Sequence, residues 1–98
     1  MSGAVTHHSQ DQEFVIEQDG GSAELAYSTP EAGVIDFTHT YVDKPLRGQG
    51  LAEELAQAGL AYARAQQLRV RTSCPFMREF LDSHPEYEDL RAPASSEE

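Results

Sequence analysis

The hydrophobic positions of the first half of the chain follow the period of β-strands. Alternating or β-branched residues mark three segments, at 13–18, 22–28 and 34–42, and glycine- and proline-containing turn signals at 19–21 and 29–33 separate them. Strands joined by such short turns pair with their chain neighbours. We therefore predict a three-stranded antiparallel meander.

After residue 50 the period changes to that of an amphipathic helix. Apolar residues recur three and four positions apart, which predicts a helix over 50–67. The segment 68–73 is predicted as a strand that lies parallel to 34–42, because it is reached through a helix. Pro75 suits the first turn of a second helix over 76–83. The order β-β-β-α-β-α predicts an α+β fold with a mixed sheet and two helices.

Length and composition indicate one small domain. The chain has 98 residues, of which 39% are hydrophobic, and this is enough for a single modest core. We expect a disordered arm at 1–12, a single domain at 13–91 and a disordered acidic tail at 92–98. No apolar run approaches the ~20 residues that a membrane span needs, and no signal peptide is recognisable, so we expect a cytoplasmic protein.

The charge of the chain is uneven. The net charge of −10 argues against a nucleic-acid-binding domain. Residues 1–43 carry −8 and residues 79–98 carry −6, whereas residues 44–78 carry +4. A basic middle segment suggests a local anion site. The alternative is that these basic residues only pair with the flanking acids.

The segment from Arg47 to Ala52, with the sequence Arg-Gly-Gln-Gly-Leu-Ala, joins the third predicted strand to the long helix. Its glycines leave backbone N–H groups accessible, and the helix N-terminus, Arg47 and Lys44 add positive charge. Such a loop can bind a phosphate or pyrophosphate. The alternative is an ordinary strand-to-helix connection. The dinucleotide fingerprint fails because Glu53 stands at its third glycine, and no nucleoside-triphosphate P-loop is present.

The motif Arg-x-x-Gly-x-Ala, formed by Arg47, Gly50 and Ala52, resembles the pyrophosphate-binding loop of the GCN5-related N-acetyltransferases. The longer run from His39 to Ala52, then Cys74-Pro-Phe-Met and His84-Pro-Glu-Tyr87, is similar to the small branch of that superfamily, with about 100 residues. The resemblance covers 13–91.

This resemblance implies an acetyl-CoA-dependent N-acetyltransferase that transfers an acyl group to an amine acceptor. The strands at 34–42 and 68–73 would separate and admit the pantetheine arm. The residues that would bind the coenzyme are Arg47, Gly48, Gln49, Gly50, Leu51 and Ala52. A non-catalytic acyl-CoA-binding or sensing module is the main alternative, and a small interaction domain without a ligand is a third.

Two residues are candidates for catalysis. Cys74 precedes the second helix, whose dipole, with Arg71 and Arg78, would favour a thiolate, and the resemblance implies that it faces the thioester. It is then an acyl-accepting nucleophile or an acid–base, or otherwise a small buried hydrophobe. Alternation places His39 on the apolar face with Ile35, Phe37 and Tyr41. There it is either a core histidine or the base for the acceptor. The alternation sets these four residues against Asp36, Thr40 and Val42.

The remaining candidates give weaker expectations. Tyr87 could protonate the departing thiolate, although a packing role is more common for such a tyrosine. His7, His8 and His84 lack the spacing of metal ligands, so we expect no metal. The acidic flanks favour a cationic amine or a basic peptide as acceptor. We expect neither nucleic acid nor membrane as a partner, and a monomer or weak dimer.

Overall fold

The computed structural model describes residues 5–18 and 20–91, which form one five-stranded sheet with two helices. The elements are β1 (Thr6–His8), β2 (Glu13–Gln18), β3 (Gly21–Glu31), β4 (Val34–Val42), α1 (Leu51–Ala65), β5 (Arg69–Thr72) and α2 (Pro75–Ser83). Short 3₁₀ turns follow β4 and α2, at Lys44–Leu46 and Pro85–Leu90. The predicted acidic tail at 92–98 lies outside the described residues. Within them, no helix is long and apolar enough to cross a membrane.

The sheet has the strand order β1-β2-β3-β4-β5. Every neighbouring pair is antiparallel except β4 and β5, which are parallel and run side by side from Val34↔Arg69 to Phe37↔Thr72. The predicted α+β fold with one parallel strand is confirmed. The predicted turn at 29–33 is shorter than expected, because β3 continues through Pro30 and pairs Glu31 with Val34.

The prediction of a disordered arm is wrong for residues 6–8, which form the edge strand β1. Thr6 pairs with Val15 and His8 with Glu13. Between them, the His7 ring stacks on Phe14 at 4.2 Å, and its Nε2 lies 2.6 Å from the Tyr27 hydroxyl. Backbone pairing and the ring contacts of His7 with Phe14, Tyr27 and Tyr62 therefore order a segment that has almost no hydrophobic pattern.

Both helices pack on the sheet face that carries Phe14, Leu25, Phe37 and Val70. The helices supply fully buried leucines, and α1 lies close to the sheet at Gly59. A β-carbon at this position would lie 2.9 Å from Phe37 Cε1 and 3.1 Å from Leu25 Cδ2. The absence of a side chain at Gly59 sets the distance between α1 and the sheet.

A β-bulge changes the face assignment along β4. Ala26 pairs with His39 and the next residue, Tyr27, pairs with Phe37, so Thr38 is an extra residue without a partner. The prediction that His39 and Tyr41 lie on the apolar face is wrong, because both side chains are exposed on the opposite face. The bulge turns Thr40 toward the helices instead, with Val42, both of which strict alternation had assigned to the other face.

We expect Gly59→Ala to destabilise the protein by about 1–2 kcal/mol, although alanine favours helices by about 1 kcal/mol. The added methyl group would press on Phe37 and Leu25. The measurement is urea unfolding. Ala61→Gly, at an exposed position of α1, measures the propensity term alone. If Gly59→Ala raises the free energy of unfolding by as much as Ala61→Gly lowers it, the proposed close contact of residue 59 with Phe37 and Leu25 is contradicted.

The contacts of His7 make stability depend on pH. Burial, and secondarily the neighbouring charge of His8, lower the pKa of His7 below its usual value of 6.5. Protonation of His7 therefore disfavours the folded state. The contribution of His7 to stability is fully present above pH 6.5 and is lost as the pH falls through the lowered pKa. We expect wild type to lose more unfolding free energy between pH 7.5 and pH 5 than His7→Phe, which keeps the stacked ring but does not titrate. Equal losses would contradict this.

Candidate functional site

The candidate site lies where β4 and β5 separate. Their last paired residues are Phe37 and Thr72, and the Cys74 amide then donates to the Phe37 carbonyl at 2.9 Å. Beyond this bond the chain turns into α2, so residues 38–42 of β4 keep only β3 as a neighbour. A strand with one open edge and a helix start beside it form the walls of a cleft.

The loop between β4 and α1 supplies a second wall. Gly48 and Gly50 have φ angles of 85° and 79°, in the left-handed region that favours glycine. A β-carbon on either glycine would meet nothing within 4 Å, so a ligand can approach this backbone closely. Gly50 is the N-cap of α1, and no side chain caps the helix. The N–H groups of its first turn are therefore available to an anion, at the positive end of the helix dipole.

The cleft encloses about 730 Å³. Five of the six residues predicted to bind the coenzyme line it, together with residues of β4, of the 3₁₀ turn and of α2. The lining residues are Thr40, Tyr41, Val42, Leu46, Arg47, Gly48, Gly50, Leu51, Ala52, Glu53 and Phe76. The sixth predicted residue, Gln49, is exposed and its side chain accepts a hydrogen bond from Gln18 Nε2 at 2.9 Å.

Arg47 is the cation of the cleft. Its Nε donates to the Val42 carbonyl at 3.0 Å, which holds the guanidinium at the open edge of β4. Arg47 makes no ion pair with the described residues. Tyr41 lies nearby, and a hydrogen bond to the Asp43 carboxylate raises the pKa of its hydroxyl, an effect that Arg47 partly opposes. Glu53 also lines the cleft, so the cleft carries charges of both signs.

Other basic residues of the middle segment do pair with the flanking acids. Arg64 forms a two-pronged ion pair with Asp89, at 2.9 and 3.2 Å. Arg71 pairs with Glu31 at 2.9 Å, so its guanidinium is not a partner for the Cys74 sulfur as the sequence suggested. The pairing interpretation therefore applies to Arg64 and Arg71, and the anion-site interpretation stays a prediction for Arg47.

Cys74 is the N-cap of α2 and precedes Pro75, as predicted. Its side chain is only 4% exposed and does not line the cleft. The sulfur lies 3.2 Å from the Thr40 hydroxyl, and Thr40 does line the cleft. The thiol is thus buried next to a residue that lines the cleft.

The other sequence candidates lie elsewhere. His39 is exposed on the sheet face opposite Thr40 and is not part of the cleft lining. Tyr87 packs beside Phe80, at 6.2 Å between ring centroids, under the Arg64 guanidinium, as the packing interpretation expects. Among residues 5–18 and 20–91, no group of three or more potential ligands could hold a metal ion.

Sequence reasoning missed the cleft residues that are polar or aromatic and lie outside the loop, above all Thr40, Tyr41 and Phe76. Thr40 was assigned to the wrong face because the bulge at Thr38 has no signature in a single sequence. Phe76 was predicted only as part of the second helix, although its place two residues after Cys74 is a signal that it lies beside the site.

Comparison with known proteins agrees with this geometry. The model of the family described as GCN5-related N-acetyl-transferase matches residues 13–90. Protein NATD1 of Bos taurus is 29% identical over 83 residues, which cover 83% of this chain and 74% of that protein. Protein NATD1 of Homo sapiens is 26% identical over the same length and coverage.

A solved structure gives the same fold. A GCN5-like protein from Staphylococcus aureus, determined in solution by NMR, superposes with a TM-score of 0.76 and 24% sequence identity, covering 98% of this chain and 94% of that one. The fold and the cleft thus define a small acyltransferase-like α+β domain. The chain belongs to the GCN5-related N-acetyltransferase family, in which acetyl-CoA is the typical acyl donor.

Proposed function

We propose that the protein is an acetyl-CoA-dependent N-acetyltransferase that transfers an acyl group to an amine acceptor. The observation that carries this proposal is the cleft where the open edge of β4, the start of α1 and Arg47 meet. Among the described residues, no side chain caps this helix start and no acid forms an ion pair with Arg47. The loop and the helix start suit the pyrophosphate of acetyl-CoA, and the open strand edge suits its pantetheine arm.

The loop from Arg47 to Ala52 suits the pyrophosphate. The first-turn N–H groups of α1 point out of the helix end, and Gly48 and Gly50 have no side chains that could cover them. The guanidinium of Arg47 adds a full positive charge beside these groups. Anion binding here would use backbone donors first and the arginine second.

The open edge of β4 suits the pantetheine arm. The Val42 carbonyl faces the open side, since Arg47 donates to it, and the alternation of an antiparallel strand directs the backbone N–H and C=O of Thr40 to the same side. These groups have no strand partner there and can pair with the amides of the arm. An N–H group at this edge would also polarise the thioester carbonyl.

Two chemical routes use this arrangement. In the first, the Cys74 thiolate attacks the thioester carbonyl, and the coenzyme thiolate leaves and takes up a proton. The amine then attacks the acetyl carbonyl, a C–N bond forms, the Cys74 thiolate leaves, and the surplus amine proton passes to the sulfur or to solvent. In the second, the amine attacks the thioester directly after His39 or a water removes its proton. The 3.2 Å contact between Cys74 and the cleft-lining Thr40 favours the first route. The exposed position of His39 on the other face favours it too.

A non-catalytic acyl-CoA-binding module is the second candidate, and one observation supports it. The Cys74 sulfur is buried behind Thr40, and His39 is outside the cleft, so the described cleft lining contains neither a thiol nor an imidazole. Such a protein would bind the coenzyme as well as an enzyme does but would release no free thiol with any amine.

The acceptor we propose is cationic, such as a polyamine or a basic peptide. Glu53 lines the cleft, and Glu24 pairs across β3 and β4 with Tyr41, which also lines it. Carboxylates at the cleft attract a positively charged amine. The expectation of a monomer or weak dimer, in the cytoplasm, stays a prediction.

We expect acetyl-CoA to shift the amide NMR signals of residues 47–52 and 70–74. Arg47→Gln should weaken binding about tenfold or more, because a charged hydrogen bond to phosphate is lost. Arg69→Gln removes the same charge at the opposite end of β5 and should change the Kd less than about twofold, since distant exposed charges are screened. Absence of shifts at millimolar ligand, or equal weakening by both variants, would contradict the proposed binding site.

We expect Cys74→Ala to abolish both turnover and the acetyl-enzyme, because the first route needs the sulfur. His39→Gln should retain most of the turnover. The measurements are release of free coenzyme thiol with a polyamine and a basic peptide, and the intact mass of the protein. Retained turnover in Cys74→Ala with loss in His39→Gln supports the second route, and no thiol release by wild type supports the binding module.

A further inference from the structure

We propose that Thr40 is a positioning residue, whose hydroxyl holds the Cys74 thiol toward the reacting end of the cleft. The inference rests on the proposed function and adds a residue to it. Two independent observations lead to it: Thr40 lines the cleft, and its Oγ1 lies 3.2 Å from the Cys74 sulfur.

The hydroxyl suits this role because it can bond to sulfur in both protonation states. A neutral thiol donates its S–H to Oγ1, and a thiolate accepts the hydroxyl hydrogen. Among the described residues, no other side chain hydrogen-bonds to the sulfur. Arg71, which the sequence suggested as a partner, binds Glu31 instead. Thr40 therefore selects the rotamer of the Cys74 side chain in either state.

The backbone makes the placement of Thr40 firm. The bulge at Thr38 turns Thr40 toward the helices, and Leu25 of β3 pairs with it. The Cys74 amide donates to Phe37, three residues earlier on the same strand. Backbone hydrogen bonds thus fix the two segments that carry Thr40 and Cys74. Substitution of Thr40 can test the effect of its hydroxyl group separately from that of its methyl group.

The test uses chloroacetyl-CoA as an affinity label for the full chain. The Cys74 sulfur attacks the chloromethyl carbon, a C–S bond forms, chloride leaves with the bonding pair and the thiol proton passes to buffer. Mass spectrometry follows the adduct, and the dependence of its rate on label concentration gives a maximal rate and a half-saturation concentration. Cys74→Ala is the blank.

We expect saturable labelling of wild type at Cys74. Thr40→Val keeps the shape of the side chain but has no hydroxyl, and it should lower the maximal rate about tenfold with the half-saturation concentration unchanged within about twofold. Thr40→Ser keeps the hydroxyl and should restore a rate near that of wild type. Three-bond couplings should report one χ1 rotamer of Cys74 in wild type.

Several outcomes would overturn the inference alone while acetyl-CoA still binds. In the labelling experiment these are equal maximal rates in Thr40→Val and wild type, a change in the half-saturation concentration alone, or a slow Thr40→Ser variant. In the NMR measurement it is averaging of the Cys74 χ1 rotamers in wild type, and this measurement does not depend on whether a variant folds. Failure of wild type to bind acetyl-CoA in the titration overturns the proposed function and this inference together.

Discussion

The hydrogen bond from the Cys74 amide to the Phe37 carbonyl is the last backbone hydrogen bond found, within the described residues, between β4 and the chain that leaves β5. Pro75 follows at once and begins α2, and proline has no N–H with which to extend a ladder. The strand edge beyond Phe37 is left open as a result. Leu46 and Leu51, both buried, line the cleft beside this open strand edge. The cleft is therefore a consequence of where the parallel pairing ends.

The arginines separate into two groups with different roles. Arg64 and Arg91 bind acidic residues around the final 3₁₀ turn, and Arg71 binds Glu31 at the end of the β3–β4 hairpin. These ion pairs are largely exposed to solvent, so each contributes little to stability. Arg47 instead donates to a backbone carbonyl and forms no ion pair with the described acids. The basic middle segment thus both fastens the C-terminal turn and charges the cleft.

Local signals made most of the fold predictable. The period of α1, the glycines of the loop and the hairpin turns depend on nearby residues, and five of the six proposed coenzyme-binding residues indeed line the cleft. β1 was not predictable, because its order comes from pairing with β2 and from the His7 contacts, neither of which leaves a hydrophobic pattern. The bulge depends on how Ala26 and Tyr27 pair across the sheet, which one strand's sequence cannot specify.

The single extra residue at Thr38 determines which side chain meets the cysteine. With strict alternation, His39 would point toward the helices and Thr40 away from them, and an imidazole would stand on the side of the thiol. A histidine in contact with a cysteine can take its proton and leave a thiolate–imidazolium pair. The bulge exchanges the two residues, so the sulfur meets a hydroxyl that orients it without titrating. Any acyl transfer at Cys74 must then pass its proton to the coenzyme or to solvent, because no described imidazole hydrogen-bonds to the sulfur.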